Sequence, residues 1–135
     1  MTTTTHTAQN IWFIDALVRV HVSGEETRGE YALLEMLLPP GATAPQYLHE
    51  DDMMSFLVLE GEVTIHSAAG ATVLRPGEAT HSPAGGRHVY DVTSSGAARM
   101  IVVCAPTGFL EYVRAVGRPA RYAALPESHS AHAGV

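Results

Sequence analysis

Residues 45–61 read PQYLHEDDMMSFLVLEG, and their pattern decides the fold. After the acidic run Glu50-Asp51-Asp52, Met54, Phe56 and Val58 alternate with Ser55, Leu57 and Leu59. That two-residue period belongs to a strand with one buried face. Gly61 stands between two glutamates, where a tight turn needs a residue free of a side chain. Upstream, Tyr47 and His49 are two apart, so a strand presents both to one side. The five-residue step from His49 to Met54 reverses faces on a continuous strand, but across a hairpin both side chains can point inward. The acidic run between them reads as a solvated turn.

The same grammar runs outward in both directions. IWFI, ALVRVHV, YALLEMLL, VTIHS, TVLRP, RHVYDV and RMIVVCAP are short apolar or alternating runs. They are separated by the turn-formers SGEE, PPGA, EGE, AAGA, RPGE, PAGG and SSGA. Closely spaced strands with Gly/Pro punctuation predict an all-β antiparallel sandwich or barrel. The helical exception is TGFLEYVRAVG, with Phe109, Tyr112, Val113 and Val116 on one face. Thr107 is its expected N-cap and Gly117 its expected end, with Pro119 just beyond. ARYAALP then reads as an extended strap. The expected organisation is a flexible tail over 1–9, one domain over 10–126 and a second tail over 127–135. This places His6, His129 and His132 in solvated tails.

A chain of 135 residues, 46% of them apolar, has room for one well-filled core. Eight basic residues against 14 acidic give a net charge of −6, which argues against nucleic acid or an anionic membrane as partner. MTTTTHTAQN lacks the charged and apolar regions of a secretion signal, so a cytoplasmic location is expected. Cys104 in MIVVCAP reads as a small core residue. The apolar stretch IWFIDALVRV is expected to pair across a homodimer interface and so hide a sheet edge.

The second chemically informative stretch is GEATHSPAGGRHVYDV, residues 77–92, where His88, Tyr90 and Val92 share one strand face. Two histidines and two tyrosines, His49, His88, Tyr47 and Tyr90, are thereby expected on an otherwise apolar interior. Met54, Phe56, Val58, Met100 and Val102 would line it. His81 belongs near it without a fixed facing, because Pro83 and two glycines interrupt the alternation. His21 and His66 lack partner spacing and read as surface or edge residues. Glu60 and Glu62 flank the glycine turn and should be exposed.

PPGATAPQYLHEDDMMSFLVLEG resembles the first cupin motif. Gly77, Pro83, Gly85 and His88 match the second, and the likeness runs from about Trp12 to Pro126. The chain looks most like small bacterial cupins of the quercetinase-like group, which implies a double-stranded β-helix barrel with a short C-terminal helix. Cupins typically hold a metal with three histidines and a glutamate. On this chain those positions fall at Tyr47, His49, Met54 and His88. The resemblance therefore implies His49 and His88 as ligands of any iron, nickel, manganese or copper, with Tyr47 a possible third. A tyrosine ligates only as phenolate, from a pKa near ~10. A thioether is neutral and soft, and suits a hard divalent ion poorly.

The leading expectation is a small-molecule enzyme with no obligatory metal. His49 and His88 would move protons, and Tyr47 and Tyr90 would donate hydrogen bonds to a developing oxyanion. Cyclisation, isomerisation or dehydration of a hydrophobic, polyketide-like or aromatic metabolite fits that equipment, as in natural-product biosynthesis. The resemblance implies the alternative, a metal-dependent quercetinase-like dioxygenase. A non-catalytic small-molecule-binding barrel is the third reading.

Overall fold

The computed structural model describes residues 8–43, 47–49 and 51–127, with the backbone alone for 47–49. The tail histidines and Glu50 lie outside the described residues. Within them the chain forms β1 (Gln9–Phe13), β2 (Ala16–Val22), β3 (Ala32–Leu38), β4 (Tyr47–His49), β5 (Met53–Glu60), β6 (Val63–Ser67), β7 (Gly70–Leu74), β8 (Ala79–Ser82), β9 (Gly86–Val92) and β10 (Ala98–Ala105). Helix α1 (Gly108–Val116) and the two-residue β11 (Arg118–Pro119) follow.

All pairings are antiparallel. One sheet has the order β11-β1-β2-β3-β10-β5-β8, and the other β4-β9-β6-β7. The alternation seen in the sequence is the alternation of burial. Leu34, Met36 and Leu38 of β3 and Met100, Val102 and Cys104 of β10 are sealed between the sheets, while Leu33, Leu37, Ile101 and Val103 face outward and are half-buried. The core joins Met54, Phe56 and Val58 of β5 to Ile65 and Tyr90 of the smaller sheet. This is the all-β antiparallel architecture that the strand spacing implies, in the jelly-roll-like form with one short C-terminal helix that the cupin resemblance implies. Cys104 is fully buried, and burial pushes its thiol up from the ordinary range, as befits a core residue rather than a nucleophile.

The β5–β6 turn depends on Gly61. Its φ of +78° disfavours any side chain, and a Cβ there would come within 2.9 Å of Ala97 O, Ala98 Cα and Ser94 Oγ.

Several local expectations are corrected. Thr107 occupies the position before α1 but makes no side-chain capping bond. The first turn is served instead by Asp52, which accepts a hydrogen bond from the Phe109 N–H at 2.9 Å and is 5% exposed. Asp52 is thus no part of a solvated turn. An anion at a helix N-terminus satisfies an orphan donor and opposes the helix dipole. Replacing Asp52 with alanine should cost about 2 kcal/mol, the scale of a buried hydrogen bond to a charged group, measured by urea unfolding. A loss below ~0.5 kcal/mol would refute the capping role. On the inner face of α1, Leu110 joins Phe109 and Val113, whereas Val116 is 53% exposed, because α1 lies across the β1 end of the barrel for little more than two turns.

The first strand also differs from expectation. Ile11 and Phe13 belong to this chain's own core, and β11 pairs with β1 through Ile11–Pro119 and Trp12–Arg118. Part of that edge is therefore covered from within the chain. Trp12 donates its indole N–H to Ala124 O at 2.8 Å and meets Tyr122 edge-on at 4.8 Å. The strap after β11 packs over it.

On the outer face of the larger sheet, His21 and Glu35 are hydrogen-bonded at 2.6 Å, and Arg99 donates to the other Glu35 oxygen. His66 likewise meets Asp91 at 2.7 Å across the smaller sheet. Both histidines thus have acidic partners that sequence spacing does not reveal. Burial alone would raise the Glu35 pKa, but the bonds from His21 and Arg99 outweigh it and hold the carboxyl below its ordinary 4.5. A depressed folded pKa contributes stability above the unfolded value, and that contribution is lost as pH falls through the folded one. The melting temperature should accordingly fall as pH drops from about 5 towards 3, and the fall should be shallower in Glu35→Gln. Parallel curves for the two proteins would exclude Glu35 as a source of acid sensitivity.

Candidate functional site

Of the expected site residues, His88, His81 and Phe56 border one cleft near the start of β9. Strand β9 alternates inward at His88, Tyr90 and Val92, as its sequence pattern requires. His88 is 4% exposed, and its ring meets Phe56 edge-on, with centroids 4.9 Å apart. It borders a cleft of about 250 Å3 between the β6–β7 hairpin, the β8 edge and the start of β9. Phe56 and Ile65 form the apolar floor, and Ser67, Thr72, Thr80 and Ser82 place hydroxyls on its walls. Thr80 and Ser82 lie opposite Phe56 and Met54 in the β5–β8 ladder.

His81 also borders the cleft, from its rim. It is exposed and sits opposite Ser55, whose hydroxyl lies 3.0 Å from its Nδ1. The facing that the sequence left open is therefore outward, on the side of β5 occupied by Ser55 rather than Phe56. Tyr90 is not among the cleft-lining residues. Burial, and after it Asp15 and Tyr112, raises its hydroxyl well above the ordinary tyrosine range, so it stays a neutral phenol. In the β6–β9 ladder Tyr90 lies opposite Ile65. Met54, Val58, Met100 and Val102 are fully buried core residues and do not line the cleft.

Strand β4 runs beside β9, with Tyr47 opposite His88 and His49 opposite Gly86. The backbones of the two motifs are thus adjacent at the cleft wall, while the Tyr47 and His49 side chains lie outside the described residues. Sequence reasoning missed Arg87, whose place on the outward alternation hid its position at the cleft margin. The hydroxyls of β8 were missed too, since the short run ATHS carries little apolar signal.

A family description, "Cupin domain", matches residues 34–104, more than half of the chain. The chain is a cupin. It is 29% identical over 105 residues to quercetin 2,3-dioxygenase of Bacillus subtilis (strain 168), an alignment covering 78% of this chain. The match spans only 31% of that dioxygenase. Among solved structures, ectoine synthase from P. lautus is similar with a TM-score of 0.68, 18% identity and coverage of 94% and 95% of the two chains. The Schizosaccharomyces pombe Cnp3 cupin domain is similar with a TM-score of 0.63, 17% identity and coverage of 77% and 70%. Both structural likenesses establish the fold. Among the described residues, no helix is long and apolar enough to cross a membrane.

Many cupins hold a metal, so the donors present here bear on the question. Of the four motif positions only Met54 and His88 have described side chains. The first is a thioether where the family has a carboxylate, sealed in the core at 0% exposure. One imidazole and one buried thioether fit a hard divalent ion poorly. Among the described residues no three His, Cys, Asp or Glu side chains cluster in a metal-binding arrangement.

Proposed function

We propose that this cupin is a small-molecule enzyme that moves a proton on a metabolite held in the cleft beside His88. The observation that carries the reading is a buried imidazole bordering an open cleft. An imidazole exchanges protons near neutral pH, and an apolar wall such as Phe56 holds it in place. The lining supports a hydrophobic substrate bearing several oxygens, because an apolar floor is ringed by four hydroxyls. His88 takes or gives the proton, Phe56 and Ile65 bind the apolar body, and the wall hydroxyls orient carbonyl and enol oxygens. His49 and Tyr47, on the strand paired with β9, are proposed to complete the site, and Tyr90 to support the His88 strand as a neutral phenol. Enolisation leading to cyclisation, isomerisation or dehydration is the matching reaction class, with no metal required.

A quercetinase-like dioxygenase is the second reading, favoured by the likeness to the Bacillus enzyme. Solvent-deuterium exchange into enolisable aromatic ketones and polyketide-like diketones, followed by mass spectrometry with and without EDTA, separates the two. Exchange that survives EDTA supports proton transfer. Oxygen consumption on a flavonol that EDTA abolishes would replace it with the dioxygenase, and saturable binding without turnover would leave a binding barrel. A cytoplasmic homodimer belongs to the same proposal, supported by Met53 and Leu59, which are 47% and 41% exposed on the outer face of β5. Sedimentation as a single chain would remove the dimer.

A further inference from the structure

The cleft beside His88 differs in charge from the chain that builds it. The chain carries −6, with 14 acidic residues against eight arginines and no lysine. Yet among the described residues no Asp or Glu lines the cleft, while Arg87, His81 and His88 all border it. Arg75, Arg99 and Arg114 are each paired with glutamates. Arg87 is exposed, and among the described residues it makes no ion pair. The ladder explains how an outward position on β9 comes to border the cleft. Ser67 and His88 are the terminal pair of the β6–β9 ladder, so Arg87 lies one residue past the end of β6. There the hairpin to β7 turns through Ala68 and Ala69, small residues that line the cleft as well. At the rim Ser55 engages Nδ1 of His81 at 3.0 Å, which leaves Nε2 for a ligand.

A cleft lined by one sign of charge over an apolar floor concentrates ligands of the other sign, and the planar guanidinium fork matches carboxylate and phosphate oxygens. We propose that the metabolite of this cleft is an acid, with a carboxylate or phosphate group gripped by Arg87, assisted by His81 Nε2, and a small apolar body on Phe56 and Ile65. The inference rests on the reading of this cleft as the substrate site and adds the sign of the substrate's charge. The volume of about 250 Å3 lies below the ~300–1,000 Å3 of drug-sized ligand sites, which keeps the apolar body to about one ring. With the charged end held at the margin and the body on Phe56, whose ring meets His88, the carbon to be deprotonated is brought towards the imidazole.

Cinnamate, its neutral isostere cinnamamide, and phenyl phosphate are titrated against the full chain by calorimetry at constant ionic strength. At least one of the two anions is expected to bind ~10-fold or more tightly than the amide, and the tighter of them identifies the group. The advantage should vanish in Arg87→Gln, with cinnamamide affinity unchanged, and persist in Arg28→Gln on the β2–β3 loop. Arg87→Lys, which keeps the charge and loses the fork, should retain part of it and covers the case in which the glutamine variant fails to fold. The proposal is overturned by equal affinities for anion and amide, by no saturation with either anion up to about 10 mM, or by an advantage that survives Arg87→Gln. Deuterium exchange into phenylpyruvate and its methyl ester, each relative to its enzyme-free rate, keeps the two readings apart. Anion-selective binding without enhanced exchange would remove the proton transfer and leave the acid site. Equal enhancement for acid and ester would remove the acid preference and leave the proton transfer.

Discussion

Alanine at Gly117 is expected to destabilise the protein by about 3 kcal/mol, enough to remove a large part of a typical domain's stability. The glycine follows α1 with φ −80° and ψ −177°, extended backbone open to any residue, so conformational freedom is not the reason for it. The reason is space. A Cβ would come within 2.6 Å of Ile11 Cγ2, 2.7 Å of Val113 O and 2.8 Å of Trp12 O. Two of these atoms are backbone carbonyl oxygens, and Val113 O already accepts the Gly117 N–H at 2.8 Å. Neither can yield without moving the end of α1 or strand β1, which carries Ile11 and Phe13 into the core. Urea unfolding of Gly117→Ala measures the effect. Gly96→Ala, where an added methyl meets nothing within 4 Å, should stay within about 0.5 kcal/mol of the parent. Equal stabilities for the two variants would show that the close approach of α1 to β1 is dispensable.

The second large effect is on turnover. Glutamine in place of His88 is expected to slow the proposed proton transfer by at least ~100-fold, the lower end of what a positioned acid–base group supplies. Glutamine retains hydrogen-bonding capacity but cannot exchange a proton near neutral pH. Deuterium incorporation per hour in the parent and the variant reads the difference, and a thermal melt of each shows whether the fold is intact. A melting temperature close to the parent's with exchange collapsed supports His88 as the proton carrier. A folded variant with undiminished exchange would end that assignment. Phe56→Leu is the companion change: it keeps apolar bulk while loosening the edge contact on the imidazole, and it should affect KM more than kcat if Phe56 serves mainly as the floor.

The two sheets were legible because apolar alternation and burial coincide along β3, β5 and β10, and turn residues mark their ends. Strand β8 was not, because ATHS has little apolar content and owes its pairing to Ser55 and Phe56 across the ladder. Asp52 was misread for a related reason. Within EDD it looks solvated, and its burial depends on the Phe109 N–H, a partner 57 residues away. In the site, spacing located His88 but not depth. Alternation says that Met54, Val58, Met100 and Val102 point inward, and nothing local says that they lie in the sealed part of the barrel while Phe56 reaches the cleft. The facing of Tyr90 was readable. Its distance from the cleft along the barrel was not.

The order of strands in the larger sheet bears on how the chain comes into being. Strand β10 lies between β3 and β5 although both are synthesised well before it, and β1 receives its outer neighbour only from β11. On the ribosome, then, β1, β3 and β5 emerge with open flanks and a half-built interior. Both sheet neighbours are supplied only when β10 and β11 have been made, and until then the nascent strands keep unpaired edges. A polysome crowded with such chains is where this protein is most exposed to misassembly, and slow release of its C-terminal segment would cost yield before it affected the finished molecule.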